Sequence, residues 1–347
     1  MRVALNATAA SGARTGVGHY TAELIRALQL TGEVTLTTYP PKLIAGLRSL
    51  MGGSKPAGPS GRLTAPPPPT GLRGWKQALR GPLRTTWQTS MRLHARLSLR
   101  PSRYDLFHEP NFIPASTRLP TVVTVHDLSA ILHPEWHPAD RLGFYQKHFF
   151  PQLPRIAHFI TVSDFARDEI IKTFNIAPER VTRTYNGVRE HLHPLPVEQV
   201  QAELKRLALP PNYLLHVGTL EPRKNLLLLM RAYCALPSEL REKCPLILVG
   251  QWGWNVGPLA EYYDQVAKHH HVLRVGYVPD DALGVVYNGA RGLVFPTFYE
   301  GFGMPAAEML ACGGAVLGST AGALAATTTL GGRVLALAAR SQSDDHE

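Results

Sequence analysis

Apolar and polar positions along this 347-residue chain fall into short blocks that change period as the chain proceeds. Residues 2–7 form a brief apolar run of the kind that makes a buried strand. A loop containing Gly12, Gly16 and Gly18 follows, and apolar positions then recur at helical spacing from His19 to Leu30. A second strand is expected at Glu33–Tyr39, after which the pattern lapses as far as Tyr104. From there strands are predicted at Asp105–Glu109, Thr121–His126 and Phe159–Ser163, the last leading into a helix, and Asn175–Val188 reads as a further short strand and turn. The segment His191–Pro211 carries Pro194, Pro196, Pro210 and Pro211 around one polar helix and reads as a linker. Near Asn212 the rhythm restarts: strand Tyr213–Val217, helix Leu226–Leu236, strands Leu246–Val249 and Leu273–Val275, helix Asp281–Asn288 and strand Gly292–Phe295. Strands that alternate with helices imply an α/β protein whose parallel sheets are covered on both faces. Two such units, residues 1–193 and 194–347, leave a cleft between them. Ligands of open α/β sheets sit at the carboxyl ends of strands, which directs attention to the loops after Val217 and Phe295.

The lapse between the second and third strands has an unusual composition. Residues 51–74 are dominated by Gly, Pro and Ser, and the run Pro66–Pro69 favours polyproline II. Between Val34 and Tyr104 there is no Asp or Glu against twelve Lys or Arg, eight of them between Arg73 and Arg103. Trp75, Leu79, Leu83, Trp87 and Met91 recur at helical spacing among the arginines, with Pro82 as an interruption. Two readings of this insert, about 51–103, stand side by side. One is a basic helical hairpin packed on its own domain, and the other is a contact for an anionic membrane surface or acceptor across 71–103. The formal charge of +10 favours an acidic partner without choosing its kind, although the basic residues show no nucleic-acid recognition motif. Cys234, Cys244 and Cys312 lie in or beside apolar runs with no CxxC spacing, which argues against a zinc site or a disulfide framework and fits a reducing compartment. The apolar start is too short for a secretory signal and no run approaches a membrane span, so a cytoplasmic protein is expected.

The strongest chemical signal is the segment PTFYEGFGMPAAE from Pro296 to Glu308. Gly301 and Gly303 let the backbone come close to a ligand, Pro305 suits the first turn of a helix, and Gly313 suits its end. The free N–H groups of such a helix start attract a diphosphate. Glu300 in the loop and Glu308, expected on the first turn, place two carboxylates where they can face different hydroxyls of one bound ligand. An acidic first turn complementing the helix dipole would explain Glu308 but not Glu300 beside its glycines. The loop GTLEPRKN, Gly218 to Asn225, offers Arg223 as a bidentate fork and Lys224 as a point charge for a departing diphosphate. A solvated basic turn is the plainer alternative, and the case rests on the two loops converging. The opening GARTGVG is not a GxGxxG, which leaves a dinucleotide-dependent oxidoreductase as a remote alternative. There is no Asp-x-Asp motif, and the Asp pairs at 280–281 and 344–345 read as a helix start and a solvated tail.

Over roughly residues 1–40 and 104–324 the chain resembles the retaining family-4 glycosyltransferases, which have the GT-B fold of two Rossmann-like domains. The resemblance rests on TGVGHY at 15–20, HEP at 108–110, TVHDLS at 124–129, TVSDFARDEI at 161–170, YNGV at 185–188, GTLEPRKN at 218–225 and EGFGMPAAE at 300–308. It implies that Glu300 contacts the donor sugar and Glu308 the nucleotide ribose, that Arg223 and Lys224 bind the diphosphate, and that Gly218, Gly301, Phe302, Gly303 and Met304 complete the donor site. Gly16 and Gly18 match a glycine loop that approaches the donor phosphates or the acceptor. His126 matches an active-site histidine near the reacting sugar, although a lone His after an apolar strand is ordinarily structural. Asp127 follows it, and Glu109 and Ser163 are weaker candidates that either touch ligand or orient a loop. The implied chemistry is hexose transfer with retained configuration, needing no metal and no cofactor beyond the nucleotide sugar. GTLEPRKN with TVHDLS most resembles the bacterial mannosyltransferase branch that uses GDP-mannose to build surface polysaccharides. That branch implies a glycan or polyprenyl-diphosphate-linked acceptor and a place at the inner face of the membrane. The chain departs from the family after Gly322 and lacks a proline in the run Cys312 to Ala315, which suggests a truncated or altered C-terminal end. An inactive nucleotide-sugar-binding remnant is therefore the second reading.

Overall fold

Strand pairing divides the chain into two six-stranded sheets, both wholly parallel. The computed structural model describes residues 1–11, 16–41, 94–324 and 333–337. The first sheet contains β1 (Arg2–Asn6), β2 (Thr35–Tyr39), β3 (Leu106–Glu109), β4 (Thr121–Val125), β5 (Ile156–Thr161) and β6 (Val181–Arg183), in the order β2-β1-β3-β4-β5-β6. The second contains β7 (Tyr213–Val217), β8 (Leu246–Val249), β9 (Val272–Gly276), β10 (Ala290–Phe295), β11 (Ala315–Ser319) and β12 (Arg333–Leu337), in the order β12-β11-β10-β7-β8-β9. In each, the strand order reverses beside the first strand of the unit, and that switch point is where an open α/β sheet leaves a crevice.

Burial explains why short apolar runs became strands. All four residues of β8 are buried, as expected where helices cover both faces of a parallel sheet. Tyr213 and Leu215 of β7 pack with Ile247, Val286, Leu293, Phe295 and Met309 in one cluster, while Leu214 turns to the opposite face, where Leu246, Leu248 and Met230 lie. In the first unit Val123, Val125, Phe149, Phe159 and Ile170 form the corresponding core. Each such side chain, moved fully out of water, contributes roughly 1.5–3 kcal/mol.

Three expectations need correction. Gly16 and Gly18 belong not to a loop but to the first turn of helix Gly16–Thr31, where Gly18 is buried. Glycine costs a helix about 1 kcal/mol against alanine in its interior, but two glycines in the first turn leave the Tyr20, Thr21, Leu24 face to carry the helix. The segment read as a linker is packed structure: Leu192, Val200, Leu204, Leu207 and Leu209 join the same cluster as Tyr213 and Tyr287. Its helix, Val197–Arg206, buries Val200 and Leu204 at a spacing of four, and the prolines that suggested a linker flank it. Strands β11 and β12 were not foreseen. Part of the tail taken as altered lies beside β11 in register from Ala315↔Arg333 to Ser319↔Leu337. Gly12, the Pro-rich run, most of the basic insert (42–93) and tail residues 325–332 and 338–347 lie outside the described residues. Among the described residues no helix is long and apolar enough to cross a membrane.

Candidate functional site

Both predicted loops of the second unit converge at the carboxyl ends of adjacent strands β7 and β10. Lys224 Nζ bonds Glu300 Oε1, and Arg223 Nη1 lies 3.1 Å from Glu300 Oε2, so a single carboxylate joins both cations. Arg223 also bonds Glu221 through Nη2 at 2.8 Å and the Tyr299 carbonyl through Nη1 at 2.7 Å. Thr297 Oγ1 lies 3.2 Å from Glu300 Oε1, and Lys224 Nζ sits 4.9 Å over the Phe295 ring. Lys224 and Glu300 are buried, which excludes the solvated basic turn. Burial pushes the Glu300 carboxyl up, but Arg223 and Lys224 outweigh it and hold it down to about 2. Burial also lowers Arg223, and Glu300, Asp127 and Glu221 more than reverse this, so its proton is held above the usual arginine value. Lys224 is pulled down by burial and by Arg223. The cations are therefore already neutralised by Glu221 and Glu300, which hold the arginine and the lysine in place.

Gly303, at φ 90°, turns the chain into helix Met304–Ala311 with a proline in the first turn. Met304 begins that helix and is half-buried, while Gly301 and Phe302 are buried in the loop before it. The Phe302 ring lies 6.2 Å from that of Tyr185. Gly218, at the end of β7, lies beside Lys224, whose Cε would be 3.7 Å from a Cβ built there. Glu308 proves to be the fifth residue of the helix, beyond the first turn, so dipole compensation does not account for it. Its two oxygens are gripped separately, by Arg189 Nη2 at 2.7 Å and by Tyr287 Oη at 2.7 Å. Arg189 also pairs with Asp280. Glu300 and Glu308 thus hold separate places, one among Arg223 and Lys224 and the other between Arg189 and Tyr287.

The first unit brings its own strand ends to the cleft. His126 follows β4, and its Nε2 lies 2.9 Å from the Pro110 carbonyl. A carbonyl only accepts, so Nε2 carries the proton and Nδ1 is left as an acceptor. Burial lowers the His126 pKa and keeps the ring neutral near pH 7. Tyr20, from the TGVGHY segment, stands edge-on to it at 4.7 Å and bonds Thr124 Oγ1 at 3.3 Å. Asp127 accepts from the Ser129 N–H at 2.9 Å and from its hydroxyl at 2.7 Å, forming the turn that begins helix Ser129–Leu132. Ser163 accepts the Ala166 N–H at 3.1 Å and so caps helix Asp164–Phe174, which makes it a helix cap by geometry. Glu109 is buried at the end of β3, taking the Asn6 amide at 2.6 Å and the Asn111 N–H at 3.2 Å.

Burial pushes the Glu109 carboxyl up to about 8, against partial opposition from these two donors. The native carboxyl then holds its proton up to about pH 8, whereas the unfolded one releases it near 4.5. Between those values the native state binds more protons, so stability falls as pH rises. Denaturant melts at pH 5 and pH 8 should show that loss in the wild type, and a smaller one in Glu109→Gln.

The two halves touch. The first unit's His126 carbonyl would be 2.0 Å from a Cβ on Gly301, so these loops are in direct contact. Trp136 stacks on Phe298 at 5.9 Å, and the Trp254 indole N–H and the Asn255 amide donate to the carbonyls of Trp136 and His137 at 2.7 and 3.0 Å. Sequence reasoning missed Glu221, Arg189, Tyr287, Tyr299 and Glu169. Tyr299 stands inside the motif and was legible as a neighbour of Glu300. Glu221 and Glu169 also lie inside quoted motifs, GTLEPRKN and TVSDFARDEI, whereas Arg189 and Tyr287 owe their place to pairing across the fold, for which a single sequence gives no signal. No group of three potential metal ligands occurs among the described residues.

Two parallel, Rossmann-like units facing each other across a cleft define the GT-B class, and solved structures of that class superpose on this chain. WaaG, a glycosyltransferase involved in lipopolysaccharide biosynthesis, aligns with TM-score 0.65 and 16% identity over 99% of this chain and 88% of its own. The model of Glycosyltransferase Family 4 matches residues 14–191 and that of Glycosyl transferases group 1 matches residues 200–339, so the chain belongs to glycosyltransferase family 4. Escherichia coli O-antigen chain mannosyltransferase B is 37% identical over 217 residues, 62% of this chain and 57% of that protein. Serotype-specific mannosyltransferase WbdA, also from Escherichia coli, is 31% identical over 57% of this chain and 25% of its own length. The match thus spans about half of one relative and a quarter of the other.

Proposed function

We propose that this chain is a retaining, metal-independent hexosyltransferase. It moves mannose from GDP-mannose to a glycan or a polyprenyl-diphosphate-linked acceptor, at the cytoplasmic face of a membrane that the basic stretch 71–103 contacts. The observation that carries this reading is the buried Arg223–Lys224–Glu300 cluster set directly against the His126–Asp127 loop. Mannose as the donor sugar is supported by the two mannosyltransferases to which the chain is similar.

In this reading Arg223, Lys224 and the N–H groups at the start of helix Met304–Ala311 hold the diphosphate as its bond to the sugar breaks. Charge develops on the phosphate oxygens, where prearranged donors act without reorganising. Glu300 accepts from a sugar hydroxyl with its remaining lone pairs, and Glu308 from the ribose. Neutral His126 offers Nδ1 as an acceptor on the opposite wall. The purified chain should release nucleoside diphosphate from one donor of a nucleotide-sugar panel, equally well with a chelator present. Release should drop at least about 100-fold in Arg223→Ala. Donor binding without release across the panel and a range of acceptors would replace the transferase by a nucleotide-sugar-binding remnant, and loss of release on chelation would remove the metal-free site.

A further inference from the structure

Tyr299 is bonded to both halves of the site at once. Its backbone carbonyl accepts from Arg223 Nη1 at 2.7 Å and from Thr297 Oγ1 at 2.9 Å. Its side chain leaves the second unit and enters the first, with ring centroids 5.4 Å from Phe165 and 5.6 Å from His133. There the hydroxyl accepts the Leu128 N–H at 3.1 Å and donates to the Glu169 carboxylate. Leu128 lies two residues beyond His126, and Glu169 lies on helix Asp164–Phe174, which Ser163 caps at the end of β5. Among the other hydrogen bonds between the units, those from Trp254 and Asn255 reach 136–137, and those of Arg189 with Glu308 and of Asn288 with His193 lie elsewhere; none of these four involves the loops that carry His126 or Glu300.

We infer that Tyr299 and Glu169 form a positioning pair that fixes how far the His126–Asp127 loop stands from Arg223 and Glu300. The inference rests on the proposed transferase reading for its catalytic consequence, but the pair itself is defined by geometry. Tyrosine brings a rigid ring that packs between the units and one hydroxyl that both donates and accepts, so a single group ties a backbone amide and a carboxylate together. Phenylalanine keeps the packing and releases both ties. The cations would keep Glu300 and Glu221, so nucleotide affinity should survive while the alignment of the two walls does not. Misplacement by about an ångström at a reacting centre costs on the order of 100-fold in rate.

The test compares Tyr299→Phe, Glu169→Ala and Glu169→Gln with the wild type. Tyr299→Phe and Glu169→Ala are expected to lower kcat at least tenfold, with the donor KM and the affinity for nucleoside diphosphate changed less than threefold. Glu169→Gln keeps an acceptor for the tyrosine hydroxyl and should recover to within threefold of wild type. Amide exchange at Leu128 should be at least tenfold faster in Tyr299→Phe, a readout that needs no turnover. Wild-type exchange at Leu128 in the variant overturns the pair, and faster exchange with unchanged kcat overturns its positioning role. An equal fall in Glu169→Gln and Glu169→Ala also overturns that role. A wild-type chain that turns over no donor would defeat the transferase reading, and the exchange result would still decide the pair.

Discussion

Glu300→Ala should lower nucleoside diphosphate release by at least about 100-fold and, unlike the removal of an exposed catalytic carboxylate, should also destabilise the fold. In the proposed transferase the rate loss would follow from its place between Arg223 and Lys224, where it holds both cations in position. The stability loss follows from burial. Arg223 retains Glu221, but Lys224 is left charged, buried and without its carboxylate. Breaking a buried pair by removing one partner costs about 3–5 kcal/mol. Lys224 can escape part of that by losing its proton, since burial already pulls its pKa down. In the variant the native lysine binds fewer protons than the unfolded one, which titrates near 10.5, so stability rises with pH below that value. Denaturant titrations should therefore show the deficit of Glu300→Ala shrinking from pH 6 to pH 9. Adding Lys224→Met should restore most of the stability and none of the release. A variant as stable as wild type at pH 6 would contradict the buried pairing.

What the sequence disclosed and what it hid divide along a physical line. Strands such as Tyr213–Val217 and Leu246–Val249 were found to the residue, because a parallel strand covered on both faces is a continuous apolar run bounded by polar turns. The Arg223–Lys224–Glu300 convergence was also legible, since each loop follows a recognisable strand and adjacent strand ends share one crevice. Helix Val197–Arg206 was misassigned to a linker because four prolines outweighed the 200, 204, 207 spacing that actually buries it. Gly16 and Gly18 misled in the same way, as local composition was given more weight than the helix period beyond it. Arg189 gripping Glu308 and Glu169 receiving Tyr299 were invisible, because they join residues 119 and 130 positions apart whose meeting depends on how the two sheets pack.

That packing leaves no room for a side chain at Gly301. Its φ is not in the left-handed region, so alanine would meet no backbone strain there. The obstacle lies across the cleft. A Cβ at 301 would fall 2.0 Å from the His126 carbonyl oxygen and 2.8 Å from Asp127 Cβ. The nearest of these atoms is backbone held by β4 and by the Asp127–Ser129 turn, so no flexible side chain can swing aside. The variant must move the two loops apart by about an ångström to reach ordinary contact, and misalignment of that size costs on the order of 100-fold in rate. Each unit keeps its own core, so Gly301→Ala should cut kcat about 100-fold while the melting temperature and the affinity for nucleoside diphosphate stay near wild type. Glu300→Ala should lose stability as well as rate, and the contrast separates a residue that aligns charge from one that lets two walls meet. Unaltered kcat in Gly301→Ala would mean that the His126 loop and the Glu300 loop are not in contact during turnover.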